Sequence, residues 1–133
     1  MKKVVHVSGK RKHAIARATL KPGKGIVRIN SMLLDHYQPA LARYRIQEAL
    51  QLAGDIAKKV NIQVKVFGGG WQAQSEAARL AIARSLVEFS GSKELRKSYL
   101  DYDKHLLIAD TRFNEPHKPN DSKPRKKRMK SYR

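Results

Sequence analysis

Apolar and polar residues alternate from His13 to Leu20, with Ala14, Ala16, Ala18 and Leu20 on one side and Ile15, Arg17 and Thr19 on the other. That period of two belongs to a half-buried strand. Lys21-Pro22-Gly23-Lys24-Gly25 supplies a turn and Ile26 to Asn30 a return strand, so the spacing predicts a hairpin with basic side chains on its outer face and tip. Val4 to Val7 reads as a short preceding strand, continuous with the first across a bend at Gly9. Val60, Ile62, Val64 and Val66 alternate with Asn61, Gln63 and Lys65, the cleanest strand pattern in the chain.

Elsewhere the period is helical. Pro39 suits a first turn, and Ala42, Ile46, Ala49, Leu50 and Ala53 recur on one face until Gly54 stops the helix. Residues 72 to 90 predict a second helix, apolar around much of its circumference and rich in alanine, which lets it lie close to a sheet. A third helix begins at Ser92, with Glu94 in its first turn and Leu95 and Tyr99 on its apolar side. Leu106-Leu107-Ile108 suggests a last strand, and no internal repeat is visible.

Charge changes this picture more than composition does. The 133 residues carry a net +18, of which residues 1 to 25 hold +8 without one acid and residues 117 to 133 hold +7. The segment between is close to balanced at +3, as in an ordinary folded domain. The chain therefore divides into a globular body, 1 to 116, with a basic edge, and a basic tail, 117 to 133. The tail has two prolines and only Met129 and Tyr132 as large apolar side chains, so it is expected to stay disordered until an anionic partner orders it. Tyr132 and several arginines among its lysines are the mixture that stacks on bases and forks onto phosphates.

Catalytic and metal chemistry find little support. Gly68-Gly69-Gly70 before a helix can offer backbone N–H groups to a phosphate, but the Gly-Lys-Ser/Thr ending of a nucleotide loop is missing, and close strand-to-helix packing explains the glycines better. His6, His13, His36, His105 and His117 show no metal-ligand spacing, and cysteine is absent. Asp101 and Asp103 read as a solvated turn, not a catalytic dyad. Asn120-Asp121-Ser122 matches a glycosylation acceptor, but no apolar leader precedes the body, so a cytoplasmic setting is expected, without enzymatic activity, cofactor, metal or membrane partner.

The residues also amount to a family resemblance. Gly9-Lys10-Arg11-Lys12-His13-Ala14-Ile15-Ala16-Arg17, Lys21 to Gly25, Ile29-Asn30 and Tyr37 form one block. Gly68 to Gly70, Gln74, Ala77, Arg79 and Ile82 to Leu86 form a second; Asp110, Arg112, Glu115 to Pro119 and the ending Lys130-Ser131-Tyr132-Arg133 form a third. In this order they resemble the universal small-subunit ribosomal protein S-nine family, of the archaeal and eukaryotic type. Ala73, where the family commonly has glycine, and Ala109, where bacterial members carry arginine, are small departures.

The resemblance implies an α+β fold in two layers: a mixed sheet with helices packed on one face, a left-handed β-α-β crossover and an extended basic C-terminal tail. It implies a structural role in the head of the small subunit, with ribosomal RNA and neighbouring head proteins as partners. It further implies that the tail end approaches the anticodon stem-loop of the P-site tRNA. The residues expected to meet ribosomal RNA are Lys10, Arg11, Lys12, Arg17, Lys24, Gly68, Gly69, Gly70, Arg79, Arg84, Arg112, Lys118, Lys123, Arg125, Lys126, Lys127 and Arg128; Lys130, Tyr132 and Arg133 are expected at the tRNA. Of Arg79 and Arg84, about 140° apart on a helix, one is expected to face RNA and the other to pair with an acid such as Glu88. Charge alone would also fit a non-ribosomal architectural nucleic-acid-binding protein, and the triple glycine an enzyme acting on an anionic nucleotide.

Overall fold

The computed structural model describes residues 3–126 of the chain. Strand β1, Val5–Arg11, turns at Lys12 and His13 and returns as β2, Ala14–Pro22, an antiparallel hairpin in register from Val5 opposite Leu20 to Arg11 opposite Ala14. Two expectations are corrected here. Gly9 lies within β1 instead of bending it, and β2 does not pair with the strand that follows it.

That second partner is β5, Val60–Phe67, antiparallel to β2 from Ile15 opposite Phe67 to Pro22 opposite Val60. Strand β3, Val27–Ile29, lies parallel to β5 on its far side, and β4, Met32–Leu33, closes the edge, giving the order β1-β2-β5-β3-β4. The turn at residues 21 to 25 forms as read, but its polar groups go to β5. Gly23 and Gly25 donate to the Lys59 and Val60 carbonyls, and the Asn61 side chain accepts from the amides of Lys24 and Ile26. An eight-residue strand with perfect alternation displaces a three-residue one from the place beside β2.

A parallel β3–β5 pair requires a crossover. Helix α1, Ala40–Ala53, and the single turn α2, Asp55–Lys58, supply it. Helix α3, Trp71–Ser90, then crosses β1, β2 and β5, and α1 packs on α3. Alternation along the strands decides which face they cover: Ala14, Ala16, Ala18, Leu20, Val60, Ile62, Val64 and Val66 are buried beneath the helices, and the residues between them face outward. The fold is thus the expected α+β arrangement, a mixed sheet with helices on one face. Gly9 brings α3 close, because a Cβ there would lie 2.4 Å from the Ala77 carbonyl oxygen and 2.9 Å from the Ala81 nitrogen.

Helix α4, Lys93–Tyr102, is capped as expected by Ser92, whose hydroxyl accepts from the Leu95 amide at 3.3 Å. Its Tyr99 is fully buried, donating to the Ala49 carbonyl of α1 at 2.7 Å, and burial pushes its phenol well up. The strand expected at Leu106 to Ile108 is absent. Asp103 accepts from the His105 amide at 2.9 Å and starts a 3-10 turn, Lys104–Leu106, that drives Leu106 into the core.

Candidate nucleic-acid interface

The outward face of the sheet has a consistent sign. None of the five strands contains Asp or Glu. From their exposed side project His6, Ser8 and Lys10 of β1, Arg17, Thr19 and Lys21 of β2, Gln63, Lys65 and Phe67 of β5, and Arg28 of β3. Register aligns them in rows across the strands: Ser8, Arg17 and Lys65 in one, and His6, Thr19, Gln63 and Arg28 in the next. A shallow groove of about 550 Å³ runs between His6, Ser8, Arg17, Thr19, Gln63 and Lys65. The Arg17 guanidinium lies 5.5 Å from the centroid of the half-exposed Phe67 ring. Like charges on neighbouring strands oppose folding slightly, and the face they form is electropositive. Donors set among cations can meet phosphates, and an exposed ring can stack a base.

At one end of this face the β1–β2 turn meets the glycine loop. Gly68 and Gly69 adopt φ of +76° and +64°, and a Cβ on Gly68 would sit 2.4 Å from the His13 carbonyl oxygen, so the glycines are needed for packing. Gly70 caps α3 without a side-chain hydrogen bond, and a cleft of about 250 Å³ lined by Arg11, Lys12, Gly70, Gln72, Ala73 and Glu76 lies beside it.

Lys10, Arg11, Lys12, Arg17 and Lys24, the residues of the N-terminal edge expected to meet ribosomal RNA, are separated in the structure. Lys10 and Lys12 sit at this end and Arg17 in the middle of the open face. Lys24 lies a strand's length away, roughly 25 Å, beyond the far end of β2. Arg11 points to the helix side, where Nε bonds Glu76 at 2.7 Å.

Arg79 is the one of the two helix arginines that pairs with acids, as expected, though not with Glu88, while Arg84 departs from expectation. The Arg79 side chain is only 11% exposed and bridges Glu48 of α1 at 2.8 Å and Asp103 at 3.1 Å, tying three helical segments together. Asp103, read as part of a solvated turn, keeps some exposure but is held in this bridge. Burial pushes its carboxyl up, but the His105 amide and the charge and hydrogen bond of Arg79 outweigh this and hold it below its ordinary value. Arg84 does not pair along the helix with Glu88; Nε donates to the Leu107 carbonyl at 2.9 Å and Nη1 to the Ser8 carbonyl at 3.1 Å. A rule for exposed helix neighbours fails because this side chain crosses toward β1.

A stability prediction follows from the bridge. Arg79→Met is expected to cost about 2–3 kcal/mol, less than a fully buried pair would because both carboxylates keep some water. The Asp103 contribution is complete above the unfolded carboxylate pKa of about 4 and is lost as pH falls through the lower folded value. Urea unfolding of wild type and Asp103→Asn should show a gap that is widest near pH 7 and shrinks in acid. A gap constant from pH 7 to pH 2 would count against the pairing.

Arg112 is 80% exposed and chelates Asp110 through Nε and Nη2. Those side-chain bonds, with one from the Arg112 amide, hold the Asp110 carboxyl well below the usual carboxylate range. In the tail, Lys118, Lys123 and Lys126 are exposed, and Arg125 forms a two-pronged ion pair with Glu115. Lys127, Arg128, Lys130, Tyr132 and Arg133 lie outside the described residues. Lys21, Arg28, Lys65 and Phe67 were missed as site candidates, although the lack of acids in every strand-like segment could have revealed them. No described helix is long and apolar enough to cross a membrane.

Two comparisons with known proteins are informative. The model of a family described as ribosomal protein S9/S16 matches residues 9–133. Small ribosomal subunit protein uS9 of Methanococcus maripaludis is 45% identical over 133 residues, covering 98% of this chain and 99% of that protein.

Proposed function

Because the chain belongs to the ribosomal protein S9/S16 family, we propose that its acid-free sheet face holds small-subunit ribosomal RNA in the head while its tail reaches the P-site tRNA. The protein is a structural, non-enzymatic constituent of the small ribosomal subunit, acting in translation on cytoplasmic ribosomes. The observation that carries the RNA reading is the segregation of charge: every acid lies outside the strands, so the outward side chains of the sheet are cations, neutral polar groups and the Phe67 ring. Lys10, Arg17, Lys21, Arg28 and Lys65 contact phosphates across that face, Lys12 and the Gly68 to Gly70 loop at one end and Lys24 at the other. Neighbouring head proteins are further partners.

In the tail, Lys118, Lys123, Arg125, Lys126, Lys127 and Arg128 follow the RNA, and Lys130, Tyr132 and Arg133 meet the tRNA anticodon stem-loop. Extended at about 3.3 Å per residue the tail spans roughly 55 Å, against 20–25 Å as a free coil, so its partner must hold it open. The tail's eight bases correspond to a log-log salt slope of at most about −6 on single-stranded RNA.

The test uses small subunits rebuilt with the full chain or with a chain lacking Lys130 to Arg133. Incorporation should match, and P-site tRNA should bind the shortened form more weakly. Equal tRNA affinity would leave the tail as an assembly anchor only. Competition between ribosomal RNA and duplex DNA for the free protein separates this reading from an architectural DNA binder.

A further inference from the structure

We propose that Arg11 is a positioning residue that fixes where the C-terminal tail leaves the body, by clamping residues 110 to 113 onto the β1–β2 hairpin. Its guanidinium meets three acceptors in three directions: Nε bonds Glu76 of α3 at 2.7 Å, Nη2 faces Asp110 at 3.5 Å and Nη1 donates to the Arg112 carbonyl at 3.0 Å. The side chains of Arg11 and Asp110 are only 17% and 12% exposed. Arg45 of α1 holds the other oxygen of Glu76 at 3.3 Å, so the clamp is anchored in the helical layer.

The same strap is gripped from the hairpin's other residues. Phe113 is 55% exposed, yet the His13 ring meets it edge-on at 5.9 Å between centroids and the Lys10 ammonium stands 5.8 Å from its centre. Arg112 chelates Asp110 and stiffens the turn between the two grips. Residues about a hundred positions apart in sequence thus hold the base of the tail at the hairpin tip. Just beyond the strap, Glu115 pairs with Arg125 of the tail. A planar fork is required for this, because an ammonium is a point donor that cannot meet three acceptors spread over two elements.

Bulk attraction and positioning make opposite forecasts. If Arg11 served as a phosphate ligand, Arg11→Lys would keep the charge and most of the binding, and Asp110→Asn would strengthen RNA and tRNA binding by removing an acid. As a clamp, both variants release the strap. If the competent tail direction is then held about a fifth as often, apparent P-site affinity falls roughly fivefold. The clamp itself rests on the geometry; only its consequence for tRNA rests on the function proposed above.

The chain has no cysteine, so a spin-label pair at Lys97→Cys and Asn114→Cys is free of background. In the full-length protein the distance distribution between α4 and the strap should be narrow. It should broaden in Arg11→Lys, in Asp110→Asn and, to a smaller extent, in Phe113→Ala. The last two alter the strap and leave the hairpin intact, so they report even where the Arg11 variant does not fold. Narrow distributions in Asp110→Asn and Phe113→Ala overturn the proposal. Subunits rebuilt with the same variants give the second readout: a broadened strap with unchanged tRNA affinity supports the clamp and rejects the tail's role at the P site.

Discussion

Gly9→Ala is expected to destabilise the protein by about 3 kcal/mol, although it adds one methyl group. The added carbon would lie 2.4 Å from the Ala77 carbonyl oxygen and 2.9 Å from the Ala81 nitrogen, both backbone atoms in the middle of α3. No rotamer change can relieve such a contact. The helix must lift from β1, loosening Ala77 and Ala81, both fully buried beside Gly9. Overpacking of this kind costs 1–3 kcal/mol or more, and a rigid neighbour puts it at the upper end. Gly70→Ala is the control: nothing lies within 4 Å of its added carbon and its φ is −94°, so lower unfolded-state entropy should leave it neutral or slightly more stable. Urea unfolding of the full chain reads both. A loss below about 1 kcal/mol for Gly9→Ala would mean that α3 does not depend on this contact.

Gly9 also shows where the sequence ran out of information. Read locally, a glycine between two strand-like segments is a bend, because nothing nearby in the chain needs its missing side chain. The need comes from α3, some seventy residues later. The alanine content of residues 72 to 90 did signal close approach, and the helix appears as read, starting one residue earlier. The strand at Val60–Phe67 was equally legible, since perfect alternation is a property of the segment alone. Its insertion between β2 and β3 was not, because strand order depends on which pairings win globally, and the three-residue β3 reveals its weakness only against the longer competitor. Leu106 to Ile108 failed for a related reason: three apolar residues fit either a strand or a buried plug, and the Asp103 cap decided for the plug.

Sign of charge was legible in the site; direction of side chains was less so. Arg11, Arg79 and Arg84 belong to motif blocks that resemble an RNA-binding family, yet each guanidinium finds acceptors inside the protein. Arginine suits both tasks, and a single sequence does not tell a fork aimed at phosphate from one aimed at a carboxylate. Lys65 and Arg28 carried no motif, but period two already placed Lys65 opposite a buried row, and that parity is what makes it an outward cation.

Replacing Arg17, Arg28 and Lys65 together with glutamine is expected to weaken binding to small-subunit ribosomal RNA about a hundredfold at 0.1 M salt. Each phosphate contact contributes roughly 0.7–0.9 to the log-log salt slope, so three lost contacts flatten it by about 2–3. At 0.1 M the same exponent gives the fall in affinity. The fold should not suffer. Arg17 lies directly opposite Lys65 on the neighbouring strand, a like-charge pair that opposes folding, and neutralising it leaves stability equal or slightly higher. Weaker binding by a variant of unchanged stability therefore cannot be ascribed to unfolding. Arg84→Lys provides the contrast, because its guanidinium serves the Leu107 and Ser8 carbonyls and the charge is kept; stability should fall and the salt slope stay. The measurement is RNA affinity of the full chain from 0.05 to 0.4 M salt, alongside urea unfolding. An unaltered slope in the triple variant would move the RNA off the open face and onto the tail alone.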